Sequence, residues 1–486
     1  MRKTMFVLGG LVCATWLSAQ DYQKTAYGIK AAAGGVDVEV QFFTPSVVRV
    51  VKSPQGEHFE KKSLAVVASP GEVGVKVGIK DGAIVMDTKV LQVTLDTSTG
   101  AFSYRTADGK FLLAEKPVEK PFVPFDDAGD ATYNVYQAFK LDADEAIYGL
   151  GQLQNGKMSQ RGVRKNMIQG NVEDVSPFFQ STKGYGLYWD NYSPTLFTDN
   201  EEETSFRSDV GDCMDYYFMY GGDADGVVAQ VRYLTGEVPM FPLWTYGYWQ
   251  SKERYKSQEE TVGVVRKYRE LGVPLDGIIQ DWQYWGKLGW NAMQFDKTNY
   301  PDPKKLVDDL HAIDARLMLS VWSKIDPKSE VGQIMSTKGY YIPNTSWVDF
   351  FNPEAAACYW ENFSKRLLKP YGIDAWWQDA TEPENDDLVG KKIWNGTMPG
   401  ELFRNTYPLL VNKVVYEGSR RDVPNKRVMI LTRSAFPGMQ RYSTATWSGD
   451  VGHDWETLRR QIVGGLGMTV SGLPWWTYDA GGFFRP

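Results

Sequence analysis

The sequence has few of the residues that metal sites and general-base catalysis most often use. Only three histidines occur among 486 residues, His58, His311 and His453, and no two of them have HExxH spacing. The three cysteines contain no CxxC pair. Zinc sites and histidine-based mechanisms need such clusters, so we expect no metal and no cofactor, and a metal hydrolase or isomerase is disfavoured.

Basic charge and long apolar runs are scarce as well. The formal net charge is −7, which provides no basic face for nucleic acid. After the N-terminus no run of 18 or more apolar residues occurs, so we expect no membrane span. A chain of 486 residues is long enough for two or three packed domains. The sequence leaves the oligomeric state open.

The first twenty residues differ from the rest. MRKTMFVLGGLVCATWLSAQ has two basic residues, an apolar stretch to Leu17, and then the small residues Ser18 and Ala19. This layout is typical of a secretory signal peptide, and a buried first strand or helix is the alternative. We therefore expect residues 1–20 to be a signal peptide and the protein to be exported, either to the periplasm or out of the cell.

Residues 21–238 have the pattern of an N-terminal β domain. The segments VDVEVQFF and VVRVVKS alternate or are rich in β-branched residues, and KVLQVTLDTSTGAFSY reads as a hairpin. Asp108 and Gly109 add a turn signal. Because strands and turns recur at short spacing, we predict an antiparallel β-sandwich.

Residues 239–486 alternate instead between strand-like and helix-like segments. Four helix starts have N-cap signals, at Ser257, Asp302, Asn352 and Asp454. The strand-like segments span 243–249, 275–282, 316–322, 373–379, 427–434, 443–450 and 473–482. Repeated alternation predicts parallel strands, and no helix follows a Gly-rich phosphate loop, so we predict a catalytic (β/α)8 TIM-type barrel. Cys213 and Cys358 fall in different domains, and whether they pair stays open.

Carboxylates, an arginine and aromatic rings follow the predicted strands. In a (β/α)8 barrel the catalytic groups lie at the C-terminal ends of the strands. In chain order these ends offer Asp281, Trp282, Trp285, Trp322, Asp379, Glu382, Arg433, Trp447, Asp450, Tyr478 and Asp479. Of the 17 tryptophans, 15 lie in residues 244–476, so aromatic rings concentrate in the predicted barrel. Rings that stack on sugars and carboxylates that bind hydroxyls indicate a carbohydrate site.

Asp379 and Asp450 are the candidates for the two carboxyl groups that glycoside cleavage requires. One group has to be ionised to attack or to activate water, and the other has to be protonated to donate to the leaving oxygen. The two residues end the fourth and sixth predicted strands, so folding has to bring them together. A structural role, as helix caps or bridges between strands, is the alternative.

Six segments resemble glycoside hydrolase family 31. In chain order they are YGLGQ (148–152), STKGYGLYWDN (181–191), GIIQDWQYWG (277–286), WWQDATEPE (376–384), TRSAFPGMQRYSTATWSGD (432–450) and WWTYDAGGF (475–483). WWQDATEPE is similar to the segment that carries the family's nucleophile. TRSAFPGMQRYSTATWSGD is similar to the segment that carries its acid/base. The resemblance follows the family's order from about residue 30 to the end of the chain.

The resemblance implies roles for particular residues. Asp379 matches the catalytic nucleophile, and Asp450 matches the general acid/base, of enzymes that retain anomeric configuration through a covalent intermediate. Further matches that line the sugar pocket are Asp281, Trp322, Arg433 and Trp447. Further candidates for substrate contacts, for which core packing is the alternative, are Trp282, Trp285, Trp377 and Tyr478.

The resemblance also implies an α-linked oligosaccharide as the substrate. The segments QDWQYWG and WWQDATEPE look most like those of secreted bacterial members that include α-xylosidases acting on xyloglucan fragments. A xylosidase has to fill the space around carbon 6, and Trp282, Tyr284 or Trp285 is bulky enough to do so. We therefore expect an α-xylosidase, with an α-glucosidase, α-galactosidase or transglycosylase of the same family as alternatives.

The number of strand units gives a further alternative. Seven units are predicted, and the sequence ends at Pro486, whereas family members continue with an eighth unit, which carries a sugar-contacting histidine, and with C-terminal β-domains. An open barrel would leave two unpaired strand edges. We therefore expect an incomplete barrel in a fragment or truncated gene product that is poorly stable and weakly active or inactive. An inactive glycan-binding remnant is then the alternative, which the Asp379–Asp450 pair argues against.

Overall fold

The computed structural model describes residues 22–57, 59–384 and 388–484. The predicted signal peptide, residues 1–20, and His58 lie outside these described residues. An N-terminal β-rich domain precedes a domain that is built on parallel strands. No helix within the described part of the chain combines the length and the apolar character that a membrane span requires.

The N-terminal domain consists of two large antiparallel sheets followed by one helix. Its strands are β1 (Gln23–Lys24), β2 (Gly28–Ala33), β3 (Val36–Thr44), β4 (Val47–Pro54), β5 (Lys76–Lys80), β6 (Ala83–Asp87), β7 (Leu91–Asp96), β8 (Phe102–Thr106), β9 (Phe111–Lys116), β10 (Phe122–Asp127), β11 (Asp130–Lys140), β12 (Ile147–Gln152), β13 (Arg164–Met167), β14 (Asp174–Ser181), β15 (Tyr185–Trp189), β16 (Thr195–Asp199), β17 (Thr204–Gly211) and β18 (Met214–Tyr220). Helix α1 (Ala224–Thr235) closes the domain.

Alternating sequence patterns build the core between the two sheets. The first sheet has the order β1-β2-β3-β4-β18-β15-β14-β12, and the second has the order β13-β16-β17-β11-β9-β8-β7-β6-β5, with β10 beside β11. In β3, Val38 and Val40 are buried while Glu39 between them is half-buried. These valines pack in one cluster with Val93 and Leu95 of the second sheet, so a single apolar core joins both sheets.

The second domain alternates parallel strands with helices. Its strands are β19 (Trp249–Gln250), β20 (Gly277–Gln280), β21 (Arg316–Trp322), β22 (Ala375–Asp379), β23 (Lys392–Ile393), β24 (Met398–Pro399), β25 (Ile430–Thr432), β26 (Thr444–Trp447) and β27 (Trp476–Thr477). Its helices are α2 (Gln258–Glu270), α3 (Pro303–Ala312), α4 (Glu330–Lys338), α5 (Pro353–Phe363), α6 (Lys369–Tyr371), α7 (Tyr407–Asp422) and α8 (Trp455–Val470). Short helical turns are Leu243–Tyr246, Gly286–Leu288, Ser364–Leu368, Glu401–Thr406 and Met439–Tyr442.

Seven of these strands form one parallel sheet. Its order is β19-β20-β21-β22-β25-β26-β27, and β23 and β24 form a separate antiparallel hairpin after β22. All four helix N-caps are as predicted; the Ser257 hydroxyl, for example, accepts a hydrogen bond from the backbone N–H of Glu260 at 3.1 Å. The first predicted strand, 243–249, is mostly wrong. Leu243–Tyr246 forms a 3₁₀ turn, in which the backbone N–H of Thr245 donates to Pro242 and that of Gly247 donates to Trp244, and this leaves two residues for β19.

The five central strands of the parallel sheet, β20, β21, β22, β25 and β26, bury both of their faces. Trp376 points to the helix side, where its ring centroid lies 4.4 Å from that of Phe363 on α5. Its neighbour Trp377 points to the other side and lies 4.3 Å from Trp447. Side chains two residues apart share a face of a strand, so Asp379 lies on the same side as Trp377 at the strand's carboxyl end.

The two domains are joined by an apolar cluster. Phe178, Tyr188 and Tyr217 of the N-terminal sheets and Val231 of α1 pack in this cluster together with Phe436 from the parallel-sheet domain. Burial of such surface from both sides holds the domains in a fixed relation. The two cysteines of the described residues, Cys213 and Cys358, are both buried and free, which answers the question that the sequence left open.

Candidate active site

The carboxyl ends of adjacent parallel strands bring distant residues to one edge of the sheet. Trp322 of β21 is the register partner of Asp379 in β22, and Gln378 is the partner of Thr432 in β25. Arg433 follows Thr432 directly, so its side chain starts beside Asp379. In-register parallel strands therefore place predicted pocket residues next to each other.

Arg433 lies among four carboxylates at this edge of the sheet. Its buried guanidinium lies 3.1 Å from Asp379, 2.7 Å from Glu382, 3.1 Å from Glu384 and 3.7 Å from Asp450. Burial disfavours the charged guanidinium, but Asp379 and Glu382 outweigh that effect and raise the pKa of Arg433 above its ordinary value. A single fixed positive charge thus contacts four carboxylates.

Asp379 is a largely buried carboxylate, with 14% of its side chain exposed, in a negative environment. One of its oxygens accepts a hydrogen bond from the backbone N–H of Ala380 at 2.8 Å. Burial raises the pKa of Asp379 to about 7; Arg433 opposes this rise, and the negative charges of Glu382 and Asp450 add to it. Near neutral pH the group therefore changes readily between the protonated and ionised forms.

Asp450 faces Asp379 across the same guanidinium. Nη1 of Arg433 lies 3.1 Å from Oδ1 of Asp379 and 3.7 Å from Oδ2 of Asp450. The two oxygens are consequently no more than about 6.8 Å apart, the sum of those distances, and this upper limit is compatible with a carboxyl pair that flanks one glycosidic bond. The structure therefore brings the two predicted aspartates together.

Asp450 also contacts a residue of the N-terminal domain. The side-chain amide of Asn171 donates to Oδ2 of Asp450 at 2.7 Å, and the backbone N–H of Asp450 donates to Oδ1 of Asn171 at 2.9 Å. The sequence reasoning missed Asn171. A lone asparagine in a loop between β13 and β14 has no local pattern that would indicate a site 279 residues further along the chain.

Two further buried carboxyl groups lie near this cluster. Burial, followed by the charge of Asp379, raises the pKa of Asp281 well above its ordinary range. Asp174, at the start of β14, is fully buried, and neither of its oxygens meets a hydrogen-bond donor among the described residues. Burial and then Glu382 raise its pKa in the same way. Asp281 was a predicted site residue, whereas Asp174 was not.

Trp447 and Trp322 are buried at the carboxyl ends of their strands. Trp447 ends β26 and packs on Trp377, on the face of the strands that also carries Asp379. Trp322 ends β21 with its ring set edge-on to that of Trp290, at a centroid distance of 4.8 Å. The Trp322 side chain is buried, and its ring N–H has no hydrogen-bond partner within the described residues. This donor lies at the strand end that adjoins Asp379.

The remaining predicted aromatic residues differ in exposure. Trp282 is half-buried, and its ring N–H donates to Glu253 at 2.9 Å. Trp285, in contrast, is 2% exposed and packs in the core against Tyr284 and Trp290, which leaves almost none of its ring to contact a sugar. The half-buried ring of Tyr478 stacks on that of Trp476 just after β27.

The two histidines among the described residues, His311 and His453, make their contacts away from the carboxylate cluster. Nε2 of His311 is 2.7 Å from Asp374, a residue that precedes β22 at the opposite end of the sheet. His453 is exposed, and its Nδ1 lies 2.7 Å from the carbonyl oxygen of Phe484. The chemistry that this arrangement can perform is therefore carboxylate chemistry, with protons exchanged between carboxyl groups and a bound molecule.

Comparison with known proteins agrees with this geometry. The sequence model of the glycosyl hydrolases family 31 TIM-barrel domain matches residues 238–486. That of the glycosyl hydrolase 31 N-terminal galactose mutarotase-like domain matches residues 37–197. The chain belongs to glycoside hydrolase family 31. The family resemblance of the six sequence segments is thereby confirmed, together with a β-rich domain followed by a TIM-barrel domain.

Relatives in this family include xylosidases and glucosidases. An alpha-xylosidase from Saccharolobus solfataricus is 39% identical over 474 residues, covering 93% of this chain and 63% of the relative. Alpha-glucosidase 2 from Bacillus thermoamyloliquefaciens is 26% identical over 486 residues, covering 92% and 60%. The crystal structure of a family 31 alpha-xylosidase from Xanthomonas citri has a TM-score of 0.89 at 26% identity, covering 95% of this chain and 69% of that chain. This chain spans less than two thirds of the length of both sequence relatives.

Proposed function

We propose that this family 31 chain provides the catalytic centre of a retaining α-glycoside hydrolase, and specifically of an α-xylosidase that acts on xyloglucan-type oligosaccharides. The observation that carries the proposal is the meeting of Asp379 and Asp450 at the single guanidinium of Arg433. Two carboxyl groups on either side of one bond are what double displacement at a sugar requires.

In the first step the Asp379 carboxylate attacks the anomeric carbon. The bond from that carbon to the leaving oxygen breaks, its electron pair stays on the oxygen, and Asp450 gives its proton to that oxygen. Arg433 opposes the effect of burial, and with a pKa of about 7 Asp379 is available in its ionised form near neutral pH. The product of this step is a sugar ester of Asp379 and an ionised Asp450.

In the second step water releases the sugar. Asp450 now accepts a proton from water while the water oxygen bonds to the anomeric carbon and the ester bond to Asp379 breaks. Two inversions at one carbon retain the configuration. Both aspartates return to their starting forms, so no other reactant is needed.

The other predicted residues, except Trp285, bind the sugar. Burial, followed by the charge of Asp379, raises the pKa of Asp281 and so favours its protonated form, which can donate to a sugar oxygen as well as accept from a hydroxyl. Trp322, Trp447 and Trp377 form the wall against which the ring lies, and Trp282 and Tyr478 border the mouth. Trp285 supports the wall from the core.

Xylose is the preferred sugar in this proposal because an aromatic ring beside Asp281 can fill the space around carbon 6. Of the three candidate rings, Trp282 is half-buried, whereas Tyr284 and Trp285 are packed in the core. A xylosyl unit lacks the carbon-6 hydroxymethyl group, so a pocket that a bulky ring narrows accepts xylose and excludes glucose. The alpha-xylosidase relative, at 39% identity, supports this choice. The alpha-glucosidase relative, at 26% identity, keeps α-glucosidase as the second candidate.

A panel of aryl α-glycosides tests the substrate. Purified protein is assayed on the xyloside, glucoside and galactoside with the same leaving group, and kcat/KM is compared. We expect the xyloside to be cleaved at least about tenfold faster than the glucoside, which corresponds to the discrimination of one small group in a pocket. Faster cleavage of the glucoside would transfer the proposal to α-glucosidase.

Covalent labelling tests the mechanism independently of substrate preference. A slow fluorinated α-glycoside traps the ester, and mass spectrometry of the digested protein locates it. We expect the label on Asp379. A label on another carboxylate contradicts the assignment of the nucleophile.

Export is a further part of the proposal and rests on residues 1–20 alone. A cell that expresses the gene is expected to release the protein from its cytoplasm with a new N-terminus close to residue 20. N-terminal sequencing of the exported protein checks this, and an intact Met1 on the exported protein would contradict it.

A further inference from the structure

The N-terminal domain contributes a side chain directly to the catalytic centre. Asn171 makes two hydrogen bonds with Asp450, one from its amide to Oδ2 and one from the Asp450 backbone N–H to its Oδ1. The two groups of the amide thus pair with the side chain and the backbone of the same residue. Such a reciprocal contact fixes both the position and the rotation of the Asp450 carboxyl.

The loop that carries Asn171 is held from the parallel-sheet domain. The backbone N–H of Gln169 donates to Oδ1 of the buried Asn405 at 3.1 Å, and the amide of Asn405 donates to the carbonyl oxygen of Met167 at 3.0 Å. On the C-terminal side of Asn171, Glu173 forms an ion pair with Lys165 of β13. Asn171 is therefore fixed on both flanks before any substrate binds.

The chain next to Asp450 is shaped for this contact. Gly449 has a φ of +70°, and a Cβ at this position would lie 1.8 Å from the carbonyl oxygen of Asn171. A residue with a side chain would push the loop away from Asp450. The glycine of the W-S-G-D segment thus allows the close approach of the N-terminal domain.

The two carboxyl oxygens of Asp450 have different hydrogen-bond partners. Oδ2 receives the amide of Asn171 at 2.7 Å and faces Arg433 at 3.7 Å. Oδ1 accepts no hydrogen bond from the described residues. A carboxyl group with one oxygen occupied by donors carries its proton on the other oxygen.

We propose that Asn171 is a positioning residue for acid catalysis, which fixes Oδ2 of Asp450 as the acceptor oxygen and leaves Oδ1 to hold and deliver the proton. The proposal rests on the proposed function of Asp450. As the proton passes from Oδ1 to the leaving oxygen and the glycosidic electron pair moves to that oxygen, negative charge develops on the carboxylate. The Asn171 amide then stabilises that charge.

The test compares two substrates in two variants. Asn171→Ala removes the amide, and Asn171→Asp keeps its shape but replaces the donor with a carboxylate. Both are assayed on an aryl α-xyloside with an activated leaving group and on an unactivated oligosaccharide. We expect both variants to lose about 10- to 100-fold in kcat on the oligosaccharide, the effect of one hydrogen bond to a charged group, with KM little changed. On the activated substrate the loss stays within about threefold.

Asn134→Ala is the matched control. Asn134 is a half-buried asparagine of the same domain whose amide donates to the backbone carbonyl of Asp209. Its loss is expected to change neither substrate. Equal losses on both substrates in the Asn171 variants overturn the proposal, and so does full activity of Asn171→Asp on the oligosaccharide.

A second measurement needs no substrate and separates this proposal from the proposed function. The unfolding free energies of Asn171→Ala, Asp450→Ala and the double variant form a double-mutant cycle. A coupling distinct from zero supports the contact, and a coupling of zero overturns it. If the wild-type protein cleaves none of the α-glycosides, the proposed function fails, and the cycle still decides whether Asn171 holds Asp450.

Discussion

Arg49 in the N-terminal domain and Arg433 at the edge of the parallel sheet are both buried among carboxylates, but their surroundings differ. Arg49 binds Asp215 through two nitrogens, at 2.9 and 2.7 Å, and Lys61 lies 3.1 Å from the same carboxylate. Lys61 also pairs with Asp190 at 3.5 Å. Two cations therefore face two carboxylates. Around Arg433, one guanidinium contacts four.

The different charge ratios have opposite effects on neighbouring aspartates. Burial opposes ionisation of Asp215, but Arg49 and Lys61 outweigh it and lower the pKa of that carboxyl. At Asp379 burial wins against a shared arginine, and the pKa rises to about 7. Asp215, which two cations share in the balanced cluster around Arg49, is thereby favoured in its ionised form, whereas Asp379 in the unbalanced cluster around Arg433 is ready to exchange its charge.

The largest expected effect is on activity and comes from removing Asp379, one of the four carboxylates in the unbalanced cluster around Arg433. Asp379→Ala is expected to lower kcat/KM by at least about 10⁴-fold, as deletion of a nucleophile does in other covalent enzymes. Azide should restore part of the activity and give a product of inverted configuration, which chiral analysis of the product detects. Retention of activity within tenfold of wild type would remove Asp379 from the mechanism.

Asp215→Ala is the counterpart in the balanced cluster. It leaves Arg49 and Lys61 buried without their shared carboxylate, so we expect a loss of about 3–5 kcal/mol in the free energy of unfolding. The protein that remains folded should keep its kcat/KM. If Asp215→Ala lowered kcat of folded protein as much as Asp379→Ala, the distinction between the two clusters would be lost.

The second effect separates the two aspartates inside the unbalanced cluster. Asp450→Ala is expected to lose about 10²- to 10⁴-fold on substrates with poor leaving groups, which need a proton, and far less on activated aryl glycosides. Rates for a series of aryl α-glycosides with increasing leaving-group pKa measure this dependence. A uniform loss across the series is incompatible with an acid/base role.

The third effect is on the free energy of unfolding and tests the ratio of cations to carboxylates in the two clusters. Arg433→Met should cost about 3–5 kcal/mol at pH 8, because it leaves ionised buried carboxylates without their cation. The cost should shrink at pH 5, where Asp379 is already protonated in the wild type. Arg49→Met should cost as much at pH 5 as at pH 8, since Asp215 has a lowered pKa and stays ionised at both. Denaturant unfolding at the two pH values checks both variants, and the same pH dependence in both would contradict the comparison.

The smallest effect is a gain in stability. A carboxyl with a raised pKa is protonated in the folded protein and ionised in the unfolded chain between its ordinary value and about 7, so folding takes up a proton and stability falls as pH rises through that window. Asp379→Asn removes this dependence. We expect it to be more stable than the wild type at pH 8 and equally stable near pH 4. Unfolding curves at both values test the sign, and a destabilised variant at pH 8 would refute it.

Much of the parallel-sheet domain could be predicted because its signals are local. A helix cap such as Ser257 acts on an N–H three residues away, and a strand such as β21 (Arg316–Trp322) is marked by its own apolar run. The first strand could not be predicted from LWTYGYW, since the same aromatic residues also suit a 3₁₀ turn. Strand lengths were overestimated for the same reason, because apolar composition continues past the paired residues.

The structure brings together strand ends that the sequence analysis grouped, and no signal in the sequence indicated the other residues that reach them. Asp379 and Asp450 were found by placing carboxylates at the ends of predicted parallel strands, and Arg433 joins them in the structure. Trp285 was placed beside the sugar by the same rule, but its ring is packed in the core. Position in a motif does not say on which side of the loop a side chain is buried.

The sequence by itself determined the period of each element, the caps, and the delivery of Asp379 to the end of a buried strand, because each depends on residues a few positions apart. Only the tertiary structure decided that Arg433 would serve four carboxylates and that Asn171 would hold Asp450 across 279 residues of chain. Long-range contacts of this kind depend on how two domains pack. Burial and charge balance, which set the pKa of Asp379, exist only after that packing is complete.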